Sequence, residues 1–442
     1  MSSEKDAARI VRPVRRRKVF YIPGYDPIHP RRYRELYRKE SAAQAEISGY
    51  DIALKPKSPG GGKYGWQVAA TMDGAEVQTE VEVLFWADIV RNSMSHSIPA
   101  TYLSLVRTAW TYITTGTLRR LMWLRKGPVI AALYPVGMLI GQLIVAILLA
   151  LIPAMLLGAI APYLAGGASA IASWVGLGGI AGTLANGVDF AVGTILALAA
   201  WAVTAIYVLR WFKAKDGKFF AYYLMHDYAY SARWGGANPP PLEERMERFG
   251  ARIAEALASD VDEVLVVGHS SGAHLGVSIL ADLIRSGRVP EGGPALGFLS
   301  LGQVVPMVSF LPRAVRLRAD LAYLSTRDEL AWIDVTAPGD GCAFALCDPV
   351  AVSGVAPERG KKWPIVFSAA FTQTLSPERW KELRWRFFRL HFQYLCAFDR
   401  PGDYDYFRIT AGPLTLGERY AEKAPSKSRI DVPASKYTSI AA

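Results

Sequence analysis

Not one Asp, Glu, Lys or Arg occurs from residue 127 to residue 188 of this 442-residue chain. Uncharged apolar sequence of that length is the signature of membrane-spanning helices. One helix fits within residues 129–151, where Gln142 is the only strongly polar side chain, and a second fits 190–209. Between them, 152–187 is apolar but rich in Gly, Ala and Pro, a composition open to a loop, a re-entrant segment or a pair of short helices. The whole composition agrees: 51% hydrophobic, 20% charged and a positive mean hydropathy of +0.15, unusual for a wholly soluble protein. A net charge of +11 could suit nucleic acid. Yet the basic residues sit at the N-terminus, beside the apolar segments and in the last third, and no zinc-finger spacing or aromatic RNA-binding motif accompanies them. A membrane-facing role accounts for the charge, and no nucleic-acid partner is expected.

Downstream, the β-branched run Val264-Leu265-Val266-Val267 stops at Gly268-His269-Ser270-Ser271-Gly272, and an amphipathic segment follows over 273–285. A strand, a Gly-x-Ser-x-Gly turn and a helix, in that order, push a serine out of a sheet on a tight turn whose glycines make room for the strained backbone. Ser270 is therefore the candidate nucleophile. The Ser271 N–H, at the positive end of the following helix, is the candidate oxyanion donor. On these residues the chain resembles the α/β-hydrolase superfamily, with the elbow of its serine esterases and lipases. The resemblance covers the soluble parts, residues 18–85 and 242–393, and rests mainly on the elbow. It implies an α/β fold, a hydrolase-like sheet flanked by helices and interrupted by a transmembrane helical insertion. Two features depart from the pattern: Pro23-Gly24-Tyr25 replaces the His-Gly form of many oxyanion loops, and the insertion precedes the elbow, whereas lids commonly enter later.

The resemblance also implies the order nucleophile, acid, base. Two histidines follow Ser270. His274 lies one turn up the same helix and reads as a packing or polar-face residue, which leaves His391 as the base. For the acid, Asp340 in the Gly339-Asp340-Gly341 turn after a late strand at 330–336 is the first choice and Asp348 the second; Asp334 falls inside that strand and reads as structural. The early strand 19–22 ends at Pro23-Gly24-Tyr25-Asp26-Pro27, a turn of the kind that supplies a second oxyanion donor in this superfamily, with the Tyr25 N–H preferred and Asp26 next.

The remaining segments organise the chain. Residues 1–17 read as a basic arm suited to anionic headgroups, with a solvated arm as the alternative. The first part of the hydrolase domain spans 18–98, with a helix at 31–47 and strands at 64–71 and 77–85 joined at Met72-Asp73-Gly74. Gly60-Gly61-Gly62-Lys63 is not a phosphate loop, because Tyr64 stands where Ser or Thr must follow the lysine; a hairpin loop is expected. Residues 99–126 mix Tyr102, Trp110, Tyr112 and Trp123 with Arg107, Arg119, Arg120 and Arg125, as an interfacial helix does. The insertion occupies 127–212 and the second part of the domain 213–420, with a helix at 242–257 and further strands at 296–304 and 364–368. Residues 421–442 read as a flexible tail. The adjacent His226 and Asp227 have no partner at metal-ligand spacing, and Cys342, Cys347 and Cys396 match no common zinc pattern, so no metal or cofactor is expected.

Because the strands on either side of the insertion must join one sheet, the number of crossings is even. Arg119, Arg120, Arg125 and Lys126 flank one end of it and Arg210, Lys213, Lys215 and Lys218 the other, which assigns both termini and the hydrolase domain to the cytoplasm. The expected function is membrane-anchored serine hydrolysis of an ester bond, of a lipid or other apolar acyl substrate, with acyl transfer open to the same residues. The alternative is an inactive hydrolase-fold scaffold binding a cytoplasmic partner. A transporter ranks lowest, since the first span lacks any charged residue and Asp189 lies at a span edge.

Overall fold

The computed structural model describes residues 13–56, 64–94, 97–175 and 180–441, without the side chains of 161–173 and 180–189. The glycine-rich 60–63 segment, most of the loop around it and the first twelve residues of the basic arm lie outside that description. Two compact units emerge: Met1–Met94 with Arg107–Ala131 and Asp227–Ala442, and Ser95–Val106 with Ala132–His226.

The first unit is built on an eight-stranded mixed sheet. Its strands are β1 (Arg16–Ile22), β2 (Asp51–Lys55), β3 (Gly65–Met72), β4 (Ala75–Val83), β5 (Glu263–His269), β6 (Ala295–Leu301), β7 (Ala331–Thr336) and β8 (Ile365–Ser368). Their order is β2-β3-β4-β1-β5-β6-β7-β8. All described pairings from β4 to β8 are parallel, and β3 is antiparallel to both its neighbours. Every residue of β5 is buried, as expected of a central strand with helices on both faces. The helix Ser271–Arg285 packs on β5, β6 and β1 between the helices Pro240–Leu257 and Val315–Leu324, while Tyr406–Ala411 and Leu416–Arg419 pack on the sheet elsewhere. A cluster of aromatic and aliphatic side chains including Tyr37, Trp66, Tyr394 and Phe407 fills the core.

Part of the basic arm proves to be structural. Arg16 to Lys18 belong to β1, and their charges are paired: Arg16 with Asp260, Arg17 with Glu263 at 2.5 Å, Lys18 with Glu80 at 2.7 Å and Glu82 at 3.1 Å. Arg17 is wholly buried and also donates to the carbonyls of Gly412 and Leu414 at 2.7 Å. Such a buried guanidinium is tolerated because its donors meet acceptors. These residues therefore serve the sheet rather than a headgroup surface. The tail also differs from expectation. Asp348 N donates to the Ile430 carbonyl, Ala434 N to that of Val352, and the Arg318 guanidinium to that of Ser439, and these bonds hold the tail on the first unit.

The helices Lys126–Trp174, most of which lies in the second unit, and Ile180–Ala214 replace the open choice at 152–187: the described residues of that segment continue these two long helices. Its Gly, Ala and Pro content does not prevent helix formation in an apolar setting. Within them, Lys126–Ile160 and Phe190–Ala214 are long and apolar enough to cross a membrane, and little of either is covered by the chain. The expected interfacial stretch forms two helices, Ile98–Thr114 and Thr117–Leu124. Leu103, Val106, Trp110, Ile113 and Trp123 remain exposed on them.

Candidate active site

The parallel strands all end on one edge of the sheet, and the candidate residues sit in the loops at that edge. Ser270 follows β5 directly, with φ 56° and ψ −121°, a conformation unfavourable to a residue with a Cβ. The neighbouring glycines make it feasible. A Cβ on Gly272 would stand 2.1 Å from the Ile22 carbonyl oxygen, and one on Gly268 would stand 2.6 Å from that of Gly272. Substitution at Gly272 would push the turn away from β1, and substitution at Gly268 would push the start of the helix off the strand end. Gly24, after β1, lies against Ser270: a Cβ there would be 3.0 Å from the Ser270 Cβ and 3.4 Å from its Oγ. Ser270 is only partly covered, whereas Ser271 is buried. The Ser271 N–H opens the helix and has no acceptor within it, and Tyr25 directly follows Gly24.

His391 ends the short helix Phe387–His391. Its Nδ1 lies 2.7 Å from Asp340 Oδ2, so Nδ1 carries the proton, donated to the carboxylate, and Nε2 is left as the proton acceptor. Tyr394 Oη donates to the same Asp340 oxygen at 3.0 Å and Cys342 N to the other at 2.8 Å. Burial alone would raise the Asp340 carboxyl, but the facing His391 charge and these hydrogen bonds outweigh it and leave it below the usual carboxylate value. Asp348, the second choice, is elsewhere engaged: it caps the turn Pro349–Val352 through the N–H groups of Val350 and Ala351 and pairs with Lys361. Asp334 accepts from Ser300 at 2.5 Å inside the sheet, where burial pushes it up to about 8. Asp26 accepts from the Tyr33 hydroxyl at 2.6 Å and from Ile28 N, a turn-holding arrangement.

His391 and the strand that carries Ser270 are tied together by residues the sequence did not single out. His269 Nε2 donates to the His391 carbonyl at 3.0 Å, and the two rings lie 4.8 Å apart. Burial, aided by the His391 charge, lowers His269 to about 3, so it is a neutral strut. Ser270 N donates to the Leu301 carbonyl, and the next residue, Gly302, has φ 53°. A Cβ on Gly302 would stand 3.1 Å from His391 Cε1 and 2.7 Å from the Tyr394 ring. This glycine makes room for the imidazole at the end of β6, next to the Ser270 turn. Ser270 Oγ makes no hydrogen bond to His391 among the described contacts. Looser pairing of this kind is common before substrate binds.

The donor atoms of Asp340, Cys342 and His391 come within 4.8 Å of one another. The His391 nitrogen nearest Asp340 is engaged in their shared hydrogen bond, and burial, with the Asp340 and Asp227 charges, pushes the Cys342 thiol up.

Beside the serine turn runs a cleft lined by Tyr25, Trp86, Asp227, Tyr230, Ser271 and His274, with the 236–239 loop on its other side. His274 is thus a cleft residue, held neutral by burial at about 4, and Asp227 lines the same cleft. No Lys or Arg is among the described lining residues. Comparison of the chain with protein families, with curated proteins and with solved structures found no match. The residues and the α/β sheet that positions them therefore carry the functional reading.

Proposed function

We propose that the chain is a membrane-anchored serine hydrolase of α/β-hydrolase type, cleaving an ester bond. The observation that carries this reading is the His391 Nδ1–Asp340 Oδ2 hydrogen bond of 2.7 Å, built beside a serine whose φ of 56° turns it out of the sheet. In this reading Ser270 Oγ attacks the ester carbonyl and gives its proton to His391 Nε2. Asp340 holds the imidazole in the tautomer that can accept it and stabilises the imidazolium. The N–H groups of Ser271 and Tyr25 receive the developing oxyanion. The imidazolium then protonates the leaving alcohol, and water, activated by the same imidazole, releases the acyl group. An apolar two-helix insertion keeps the site at the bilayer surface, which favours an amphiphilic or lipid ester, and the basic flanks favour the cytoplasmic side.

The test is labelling of membranes holding wild type or Ser270→Ala with a fluorophosphonate, which reacts with activated serines. Labelling of the wild type alone is expected. Labelling of neither, with both chains folded and the probe in reach, overturns the reading in favour of a binding scaffold.

A further inference from the structure

The cleft beside Ser271 holds polar groups that the proposed chemistry does not use. Asp227, half-buried, lines the cleft and forms no hydrogen bond or ion pair among the described residues. Tyr230 Oη and His274 Nδ1 are buried with no hydrogen-bond partner. Buried polar atoms are seldom left unmet, and two of them beside the Asp227 carboxylate along one cleft point to a ligand. Two of these three groups accept hydrogen bonds readily: a carboxylate accepts only, and a phenol oxygen accepts as well as donates. His274 Nδ1 accepts when the proton is on Nε2. The wall is aromatic: Tyr25 lies 6.1 Å from Trp86 and 5.6 Å from Tyr230, and Trp86 lies 6.3 Å from Tyr230, centroid to centroid. Aromatic faces and an acid, with no Lys or Arg among the described lining residues, favour positive charge. The cleft holds about 380 Å³ of free space, part of it open to solvent, so selection rests on hydrogen bonding: a primary ammonium donates N–H groups to the carboxylate and phenol oxygens, and a trimethylammonium has none to donate.

We infer that this cleft binds a primary ammonium group, held by Asp227 and Tyr230 against the Tyr25–Trp86 wall, and that the substrate carries such a group close to its scissile ester. The binding site stands on its own observations; that its occupant is part of the substrate rests on the proposed hydrolase reading. Tyr25 and Ser271 belong both to the cleft wall and to the candidate oxyanion donors, so an ammonium seated here lies near the reacting carbonyl.

Binding should follow the charge of Asp227. Burial holds that carboxyl at about 7, against a smaller opposing pull from His391. The other titratable groups that face it are Tyr25, Tyr112, Tyr228 and Cys342, all of which are pushed up and stay neutral through that range. An alkylammonium, like lysine at about 10.4, stays charged there. Affinity should thus fall about tenfold for each pH unit below 7 and level off above it.

The experiment is calorimetric titration of full-length Ser270→Ala, in non-ionic detergent, with n-butylammonium, its neutral counterpart n-butanol and butyltrimethylammonium. Expected is butylammonium binding at least about tenfold tighter than either, weakened about tenfold or more by Asp227→Asn, with the pH dependence abolished. Tyr230→Phe, which leaves the ring, should weaken it several-fold and serves if Asp227→Asn does not fold. Equal binding of butanol, or binding indifferent to both substitutions, overturns the inference. Fluorophosphonate labelling of the wild type separates the two proposals. Labelling without butylammonium binding sinks the ammonium site alone, and binding without labelling sinks the hydrolase reading while the site stands.

Discussion

Asp340 spends both carboxylate oxygens on named partners, one on His391 and Tyr394, the other on Cys342 N. Asp340→Asn keeps the size but reverses the preferred His391 tautomer, since an amide nitrogen cannot accept from Nδ1. Turnover of a p-nitrophenyl ester is expected to drop by about 10⁴, with little change in folding. Asp348→Asn is the contrasting case, costing about 1 kcal/mol of cap and leaving turnover intact. Equal turnover in both variants would remove Asp340 from the mechanism. Asp227 gives a prediction of opposite character. Its folded value of about 7 lies above the ordinary 3.8, so between these values the folded chain keeps a proton that the unfolded chain has released. The stability linked to this group is full below the unfolded value and is lost as pH rises through the folded one. Asp227→Asn escapes that loss, and its melting temperature should gain on wild type from about pH 5 to pH 8, by the equivalent of about 1–3 kcal/mol. A gap that does not widen with pH excludes the buried acid. Ser270, His391 and Asp340 could be proposed from the sequence because a triad demands residue types in a fixed order, and the structure brings His391 and Asp340 within 2.7 Å. The surroundings of Asp227, His269 and Gly302 could not, because they come from segments distant in sequence that only packing brings together.

Elements were legible in proportion to their hydrophobic pattern. β5 is a run of apolar residues flanked by turn signals, and the hairpin of β3 and β4 alternates through a turn at Asp73-Gly74. β2 was missed: its alternation is only two residues long, Ile52 and Leu54, both half-buried against the core at the sheet edge, too short a pattern to stand out. The Arg15-Arg16-Arg17-Lys18 run misled for the opposite reason, because a charge run ordinarily marks a solvated segment. Here Arg17 and Glu263 are register partners of β1 and β5, nearly 250 residues apart, and neither charge is meaningful without the other. Removing one partner strands the other in the core. Arg17→Met should therefore cost about 3–5 kcal/mol, and Arg17→Met with Glu263→Gln should recover much of it, read from denaturant unfolding. Additive losses would mean that the pair is not coupled. Gly272→Ala tests the turn itself. With the Ile22 carbonyl 2.1 Å from the added carbon, overpacking should cost about 3 kcal/mol or more and reduce folded yield.

For the molecule as a whole, sheet pairing fixes what hydropathy cannot. β1 precedes the apolar helices and β5 follows them, yet they pair in parallel from Arg17↔Glu263 to Ile22↔Gly268. A chain that leaves a sheet and returns to it must cross any intervening bilayer an even number of times, so two crossings suffice and one or three are excluded. The helix Lys126–Trp174 has 49 residues, roughly 74 Å at 1.5 Å per residue. That exceeds a bilayer of about 40–45 Å with its headgroups. A helix of this length that crosses the bilayer carries its far end, at Trp174, clear of the hydrocarbon on the side opposite Lys126, even when tilted. In a chain with its three free cysteines replaced, Lys126→Cys and Lys215→Cys should react with a membrane-impermeant maleimide only from the cytoplasmic side, and Val175→Cys only from the other. Opposite sidedness of Lys126→Cys and Lys215→Cys would contradict the shared sheet. Labelling of all three from one side would lay both helices along the surface, and an active serine would then need another means of reaching its substrate. The ordering with Val175 alone on the far side leaves Ser270, which follows β5 in the sheet, on the same side as the basic flanks, where an ester with an ammonium group could be drawn from the adjoining leaflet.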